Sequence, residues 1–172
     1  MQIDLNNHEK ITYSSTLEQL PLLVKMICEF LQAGDWVFLD GDLGSGKTAL
    51  TKEISLAFGV KNFFTSPTFS IFNTEKLPQP IGNIHKLLHL DLYRLKSGKE
   101  LCFIGLEQEF NPKNSVVIFE WPDILEAQDW DYFFSMTGCV KPTRILNIII
   151  GGNNAERTYE FSFFQGYSND TT

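Results

Sequence analysis

The fold is decided by one stretch of the sequence, Gly41-Asp42-Leu43-Gly44-Ser45-Gly46-Lys47-Thr48. It fits the pattern G-x-x-x-x-G-K-[ST], in which a glycine-rich turn joins a strand to a helix. Before it, residues 36–40 form a short apolar run that predicts a buried strand. After it, residues 49–58 carry apolar side chains at helical spacing. Because both flanks have the required character, we interpret the stretch as the phosphate-binding loop of a P-loop NTPase.

The residue types in this loop suit a nucleotide. Glycines let backbone N–H groups turn inward around phosphate oxygens, and the helix that follows adds its N-terminal dipole. Lys47 is expected to place its charge on the β- and γ-phosphates, and the Thr48 hydroxyl is expected to ligate Mg²⁺. A glycine-rich turn without a ligand is the alternative. The predicted nucleotide-binding residues of the loop are Gly41, Asp42, Leu43, Gly44, Ser45, Gly46, Lys47 and Thr48.

Length and composition indicate a folded protein of the cytoplasm. With 172 residues, 43% of them hydrophobic, the chain is predicted to be one domain over residues 1–172, with residues 165–172 as a frayed tail. No apolar run approaches the roughly 20 residues of a membrane span. Residues 1–4 lack a basic region followed by an apolar stretch, so we expect no secretory signal. The widely spaced thiols of Cys28, Cys102 and Cys139 are typical of a reducing compartment.

The charge of the chain argues against strong binding of nucleic acid by this protein alone. The net charge is −7, whereas such binding depends on neutralising phosphates with lysine and arginine. Only three arginines occur, Arg94, Arg144 and Arg157. Any role in RNA metabolism is therefore expected to run through a partner protein.

Strand and helix patterns alternate along the rest of the chain. A helix is predicted over residues 16–33, begun by a capping box of Ser15 and Glu18. Residues 100–110 are predicted to be helical, residues 75–83 to be a turn-rich exposed connection, and residues 129–134 fit neither pattern. Strands are predicted at residues 9–13, 69–72, 87–91, 116–120, 144–150 and 158–164, with a turn at 151–154. This order predicts a P-loop NTPase-like three-layer α/β fold with a mixed, mainly parallel sheet and a C-terminal β hairpin.

Two of the predicted strands end on an acid, Asp91 and Glu120. A P-loop NTPase needs an acid that holds Mg²⁺ and a group that orients the attacking water. The strand before Glu120 is the cleaner apolar run, because His89 interrupts the other. We therefore assign Glu120 to the Mg²⁺ shell and Asp91 to the water or a metal-bound water, while the reverse assignment stays open. His89 itself is interpreted as a strand residue that packs or forms a hydrogen bond, not as a catalytic base.

A hydroxyl-rich segment around Pro67 is a second candidate for contact with phosphate. Thr65, Ser66 and Thr68 lie where many P-loop proteins have a loop that senses the γ-phosphate. A proline-bearing turn into the next strand explains the segment equally well. Thr65 and Ser66 are kept as predicted nucleotide-binding residues.

Five segments of the sequence form a combination that is typical of one family. In chain order, they are residues 41–48 (GDLGSGKT), 66–69 (SPTF), 89–95 (HLDLYRL), 105–107 (GLE) and 120–122 (EWP). Together they resemble the bacterial TsaE family, formerly the YjeE family, of ATPases in tRNA threonylcarbamoyladenosine biosynthesis. The P-loop alone is unspecific, but the combination of SPTF, HLDLYRL and EWP is highly specific. The likeness spans about residues 16–123 and is weak beyond them.

The resemblance implies a cytosolic, Mg²⁺-dependent ATPase with low turnover of its own that works with the TsaB and TsaD proteins. TsaD transfers a threonylcarbamoyl group to adenosine 37 of tRNA, and ATP hydrolysis by the family member drives or resets the TsaB–TsaD complex. The implied cofactors are ATP and Mg²⁺, and tRNA is reached through the complex. No membrane association is implied.

The resemblance also implies roles for single residues. Lys47 matches the phosphate-binding lysine, Thr48 and Glu120 match the Mg²⁺ ligands, and Asp91 matches the catalytically important aspartate of the family.

Three further residues match family positions near the nucleotide. Trp121 matches a tryptophan near the nucleotide, although core packing explains it too. Thr16 matches a threonine close to the base, where N-capping is the alternative. Arg157 matches a basic residue after the final turn. The departures, Ser45 for the frequent alanine and Phe119 for isoleucine or valine, touch no ligand-bearing side chain.

Three other functions are alternatives to a modification-pathway ATPase. A P-loop small-molecule kinase would gather two phosphorylated substrates with cationic side chains, and the scattered arginines argue against it. A GTP-dependent switch would need a guanine-reading Asn-Lys-x-Asp segment, which the sequence lacks. An inert nucleotide-stabilised scaffold would not need Asp91.

Overall fold

The computed structural model describes residues 10–61, 71–153 and 156–165 of the chain. The strands are β1 (Ile11–Ser15), β2 (Asp35–Asp40), β3 (Phe72–Ile81), β4 (Ile84–Asp91), β5 (Ser115–Glu120), β6 (Arg144–Gly152) and β7 (Arg157–Gln165). The α-helices are α1 (Leu20–Phe30), α2 (Lys47–Ala57), α3 (Leu106–Glu109) and α4 (Ala127–Thr137). Short 3-10 helices cover Leu17–Gln19, Leu92–Arg94, Gly98–Phe103 and Pro122–Ile124. None of the helices in these ranges is long and apolar enough to cross a membrane.

The strands form one mixed sheet in the order β1-β7-β6-β2-β5-β4-β3. The four strands β6, β2, β5 and β4 pair in parallel. The outer pairs, β1 with β7, β7 with β6 and β4 with β3, are antiparallel. Since β7 and β3 alone run against the rest, five of the seven strands point the same way. The predicted α/β fold with a mixed, mainly parallel sheet and a C-terminal hairpin is confirmed.

Helices cover both faces of this sheet, which gives three layers. On one face, α1 and α2 pack against side chains such as Val37 and Leu39. On the other face, α3, α4 and the 3-10 helix Gly98–Phe103 pack against Trp36 and its aromatic neighbours. Because side chains alternate along a strand, adjacent residues of β2 enter different cores.

The first helix is shorter than the predicted range of residues 16–33. A 3-10 turn precedes α1, which begins at Leu20 and ends at Phe30. The cap is also displaced by one residue, because the backbone N–H of Thr16 donates to Oε1 of Gln19 at 3.2 Å. The predicted capping box of Ser15 and Glu18 is therefore wrong. Ser15 is instead the last residue of β1, where it pairs with β7.

The predicted turn-rich connection at residues 75–83 is wrong. These residues belong to the antiparallel ladder of β3 and β4, apart from the turn at Gly82 and Asn83. Pro78 and Pro80 are tolerated because β3 is an edge strand, and the ladder is irregular between Lys76 and Ile81. Of the strand predicted at residues 69–72, residues 69 and 70 lie outside the described part of the chain.

Other boundaries moved by a few residues. Residues 129–134, which fitted neither pattern, lie in α4, whose buried face carries Trp130, Phe133 and Phe134. Residues 100–110 are split between a 3-10 helix and α3 around Gly105. Of the strand predicted at residues 9–13, residue 9 lies outside the described part of the chain, and β1 covers Ile11–Ser15. The final hairpin extends to Gln165, which was assigned to the frayed tail.

A buried ion pair joins β2 to β6 next to the start of both strands. Arg144 donates from Nε and Nη2 to the two carboxylate oxygens of Asp35 at 2.8 and 2.6 Å. Only 1% of the Asp35 side chain is exposed, and its other donor is the backbone N–H of Gln32 at 2.8 Å. The pair fixes the parallel register in which Asp35 lies opposite Arg144.

We expect Arg144→Met to lower the free energy of unfolding by about 3 kcal/mol, because it leaves a buried carboxylate without its counter-ion. Urea unfolding followed by circular dichroism would measure the loss. The control is Lys25→Met, which breaks the exposed pair of Lys25 and Glu29 and should change stability by no more than about 0.5 kcal/mol. Equal losses in the two variants would contradict a special contribution from the buried pair.

Candidate functional site

The glycine-rich loop and the two strand-end acids meet at the carboxyl edge of the parallel strands. β2 ends at Asp40, directly before the loop, while β4 ends at Asp91 and β5 at Glu120. Leu39 and Asp91 lie opposite Glu120 on its two neighbouring strands. Open α/β sheets bind their ligands at this edge.

The backbone of the loop depends on glycine at two positions. Gly46 has φ +107° and forms the N-cap of α2. A Cβ at this position would collide with the guanidinium of Arg157. Gly41 has φ +133°, and a Cβ there would collide with the backbone oxygen of Ile150. The loop therefore packs closely against β6 and β7, and α2 begins directly after it.

The side chain of Lys47 turns back and contacts the backbone of the loop. Its Nζ donates to the backbone oxygens of Gly41 at 2.5 Å and Asp42 at 3.0 Å, and it lies 3.5 Å from the centroid of the Trp121 ring. Only 4% of the residue is exposed. Burial lowers the pKa of Lys47, although the negative charge of Glu120 and nearby aspartates opposes this shift.

Glu120 is a buried carboxylate with a donor on each oxygen. Oε2 accepts from the Thr48 hydroxyl at 2.7 Å, and Oε1 accepts from the Thr51 hydroxyl at 3.1 Å and lies 2.9 Å from Nε2 of His89. Only 2% of Glu120 is exposed. Burial alone would raise the pKa of Glu120, but the hydrogen bonds from His89, Thr48 and Thr51 outweigh it and hold that pKa below its usual value. The carboxylate is thus kept charged beside the first turn of α2.

Trp121 follows Glu120 with a strained backbone. Its φ of +60° makes it the one non-glycine residue with positive φ in the described ranges. Its backbone N–H donates to the oxygen of Leu39 at 3.1 Å, and its ring lies 5.0 Å from the ring of Tyr93. The partly buried indole therefore contacts Lys47 and Tyr93 as well as the core.

Asp91 and Thr16 also lie near this edge. Oδ1 of Asp91 accepts from the backbone N–H of Tyr93 at 3.2 Å, which caps the 3-10 helix Leu92–Arg94. Thr16 follows β1, whose last residue pairs with Arg157. The fold therefore brings Thr16 and Arg157 close together and sets the Arg157 guanidinium against Gly46. Their contact with a nucleotide stays a prediction.

The sequence reading missed a pair of carboxyl groups beside the loop. Asp40 accepts from the backbone N–H of Gly41 at 3.3 Å and is hydrogen-bonded to the side chain of Asp123. Partial burial, followed by the repulsion and hydrogen bond of Asp123, raises the pKa of Asp40. The two carboxyls line a cavity of about 260 Å³ with aromatic walls that include Phe38 and Trp130.

We expect Asp40→Asn to stabilise the protein at neutral pH by under about 1 kcal/mol, since the pair is partly screened by solvent. A raised pKa means that the folded state keeps this proton to a higher pH than the unfolded state. The unfolding free energy of the wild type therefore falls as the pH rises above the ordinary value of 3.8. Unfolding measured from pH 3.5 to 8 should show the gain of the variant growing with pH. The control Asp131→Asn removes one negative charge from an exposed position of α4. If Asp131→Asn showed the same pH-dependent gain in stability, the effect of Asp40→Asn would not come from the pair of Asp40 and Asp123.

Two predicted residues, Thr65 and Ser66, lie outside the described part of the chain. Thr51 was not predicted as a site residue. It lies three residues after Thr48 on the same face of α2, and this spacing could have indicated that both hydroxyls face the site. Asp40 also carried a signal, because it is the strand-end residue directly before the loop. Its pairing with Asp123 follows only from the tertiary structure.

The residues present fit a nucleotide with Mg²⁺. Gly41 and Gly46 allow the loop to lie against Ile150 and the Arg157 guanidinium, where a Cβ would collide, and Lys47 supplies a cation within the loop. Hydroxyl and carboxylate oxygens, as on Thr48 and Glu120, are the ligands that Mg²⁺ prefers. In the described ranges, no group of three or more His, Cys, Asp and Glu side chains could hold a metal. Mg²⁺ bound to substrate phosphates needs only one or two protein ligands.

The fold and this edge of the sheet define a three-layer α/β protein that carries the pattern G-x-x-x-x-G-K-[ST], known as the Walker A sequence, in the loop after a central parallel strand. A family model described as "Threonylcarbamoyl adenosine biosynthesis protein TsaE" matches residues 14–143. The chain belongs to the TsaE family, a family involved in tRNA threonylcarbamoyladenosine biosynthesis. The resemblance that the sequence motifs indicated is confirmed.

Individual relatives agree with this membership. The tRNA threonylcarbamoyladenosine biosynthesis protein TsaE of Rickettsia conorii is 36% identical over 110 residues, which cover 63% of this chain and 59% of that protein. TsaE of Bacillus subtilis is 33% identical over 114 residues, 64% of this chain and 65% of that protein. The chain thus spans less than two thirds of the length of these relatives. The crystal structure of Bacillus subtilis YdiB has a similar fold, with a TM-score of 0.55 and 23% identity, over 90% of this chain and 85% of that one.

Proposed function

We propose that this protein is a Mg²⁺-dependent ATPase of the cytoplasm that serves the threonylcarbamoyl modification of adenosine 37 in tRNA. One observation carries the ATPase part: the Thr48 hydroxyl of the Walker A loop is 2.7 Å from a carboxylate oxygen of the buried Glu120. The Thr48 hydroxyl and the Glu120 carboxylate can both act as oxygen ligands. Their place at the first turn of α2, beside the ammonium of Lys47, suits a metal ion bound to a triphosphate. Family membership supports the pathway.

Each residue of the loop has a separate duty in this proposal. The N–H groups at the start of α2 and around Gly44 bind phosphate oxygens. Lys47 exchanges its neutral backbone acceptors, Gly41 and Asp42, for charged phosphate oxygens, which form stronger hydrogen bonds. Thr48 and Glu120 would hold Mg²⁺, which would supply positive charge to offset that of the phosphates.

Residues around the loop complete the proposed site. Asp91 orients the attacking water at the edge of β4. The Arg157 guanidinium, next to Gly46, lies close enough to the loop to contact a phosphate or the ribose. Trp121 places its ring against the Lys47 ammonium and beside the ring of Tyr93. Thr16, Thr65 and Ser66 keep their predicted roles near the base and the γ-phosphate.

The proposed partners are the TsaB and TsaD proteins. With a net charge of −7, this chain is poorly suited to hold tRNA, so the complex would bind the tRNA and this protein would supply hydrolysis. Low turnover by the isolated protein, raised by the complex, is part of the proposal. ATP is favoured over GTP because the chain has no Asn-Lys-x-Asp segment.

A threonylcarbamoylation assay with TsaB, TsaD and tRNA, run over several turnovers with and without this chain, tests the proposal. We expect stimulation that requires hydrolysable ATP, with phosphate released in the absence of a phosphorylated acceptor. No stimulation by this chain would overturn the pathway assignment. Transfer of phosphate to a small molecule would favour the kinase instead, and preferential competition by GTP would favour a switch.

A further inference from the structure

His89 lies inside the sheet, on β4, directly beside the proposed metal ligand. Only 6% of its side chain is exposed, and Nε2 is 2.9 Å from Oε1 of Glu120 on the neighbouring strand β5. A histidine in an otherwise apolar strand, between Leu88 and Leu90, interrupts the pattern of a buried strand. Its contact with Glu120 gives this interruption a physical reason.

The two oxygens of Glu120 have different surroundings. Oε2 accepts from Thr48, the residue at the proposed metal position, whereas Oε1 points inward to Thr51 and His89. Thr51 has one hydroxyl hydrogen and two acceptors in reach, since its Oγ1 is also 3.0 Å from the backbone oxygen of Lys47. Thr51 therefore cannot hold Oε1 at all times.

We propose that His89 is a positioning residue, whose Nε2–H holds Oε1 of Glu120 so that Oε2 faces Thr48 and the metal ion. The inference rests on the proposed function, because it assumes Mg²⁺ at Thr48 and Glu120. Both the neutral imidazole with a hydrogen on Nε2 and the charged ring can donate this bond, so the role needs no change of protonation. Partners that orient a metal ligand typically contribute roughly 10- to 100-fold to metal affinity.

The experiment measures metal binding directly. Mn²⁺ is titrated into protein saturated with a non-hydrolysable ATP analogue, and free Mn²⁺ is followed by electron paramagnetic resonance. His89→Asn and His89→Leu both remove the donor at the position of Nε2, whereas His89→Gln restores a donor there. The matched control is His85→Gln, which changes an exposed histidine four residues earlier on the same strand.

We expect His89→Asn and His89→Leu to weaken Mn²⁺ binding by roughly 10- to 100-fold. His89→Gln and His85→Gln should stay close to the wild type. Affinity for the analogue without metal should not change in any variant, because Lys47 and the loop backbone are untouched.

The outcomes separate this inference from the proposed function. If the wild type binds no Mn²⁺ with the analogue, the proposed metal site itself fails. If the wild type binds Mn²⁺ and the Asn and Leu variants bind it equally well, His89 does not position Glu120. An equal loss of metal-free nucleotide affinity, or unfolding of both variants while His89→Gln remains folded, would make His89 a residue of the fold alone and would also overturn the inference.

Discussion

Lys47→Ala is expected to weaken ATP binding by roughly 10²-fold or more. The ammonium group should donate charge-assisted hydrogen bonds to the phosphates, each contributing about 1.5–3 kcal/mol, and alanine removes them all. Because only 4% of Lys47 is exposed, no neighbouring water can easily replace it within the loop. Isothermal titration with ATP, with and without Mg²⁺, would measure the change.

Lys52→Ala is the matched control, since Lys52 is exposed on the same helix five residues later. It removes the same charge from the protein but leaves the loop intact, so its ATP affinity should equal that of the wild type. Unchanged affinity in Lys47→Ala would show that this loop does not hold a triphosphate.

Glu120→Gln is expected to lower Mg²⁺-dependent ATP hydrolysis by roughly 10²-fold or more, because a metal ion in such a site contributes several kcal/mol to the transition state. Glutamine preserves the volume of this buried side chain but removes the charge that binds the metal. Nucleotide affinity without Mg²⁺ should be little changed. Hydrolysis is measured as phosphate release with the partner proteins present, and Glu53→Gln, on α2, serves as the control.

Asp91→Asn tells the two strand-end acids apart. If Asp91 orients the attacking water, this variant loses turnover while it keeps the Mg²⁺ requirement of the wild type. A raised Mg²⁺ requirement in Asp91→Asn, together with an unchanged one in Glu120→Gln, would exchange the two roles. Hydrolysis by Glu120→Ala equal to that of the wild type would remove Glu120 from the metal shell altogether.

Local patterns were sufficient to predict the centre of the fold. The strand, loop and helix around Gly41–Thr48 and the strand that ends at Glu120 have strong periodicity, and both were found where expected. The error at β3 has a physical cause: Pro78 and Pro80 indicate a turn, but an edge strand tolerates them on its unpaired side. The α4 region fitted no pattern because large aromatic residues alternate there with aspartates.

The sequence predicted which strand ends meet, but not which side chains touch. Glu120 is 31 residues from His89 and 72 from Thr48, and both contacts depend on the order of strands in the sheet. His89 was expected to pack or to form a hydrogen bond within its strand, and it lies 2.9 Å from Glu120, a partner that the sequence could not name. Arg157 was indicated by resemblance alone, and its approach to Gly46 depends on the pairing of β7 with β6, the strand next to β2.

The left-handed backbone of Trp121 has a consequence for the stability of the protein. A non-glycine residue in this conformation costs about 1–2 kcal/mol relative to glycine, so glycine would relax the chain at this point. Instead the position carries an indole 3.5 Å from the ammonium of Lys47, where a favourable cation–π contact offsets part of that strain. Under the proposed function, which places Trp121 near the nucleotide, position 121 is therefore a place where a contact that serves activity is kept at a cost in backbone strain.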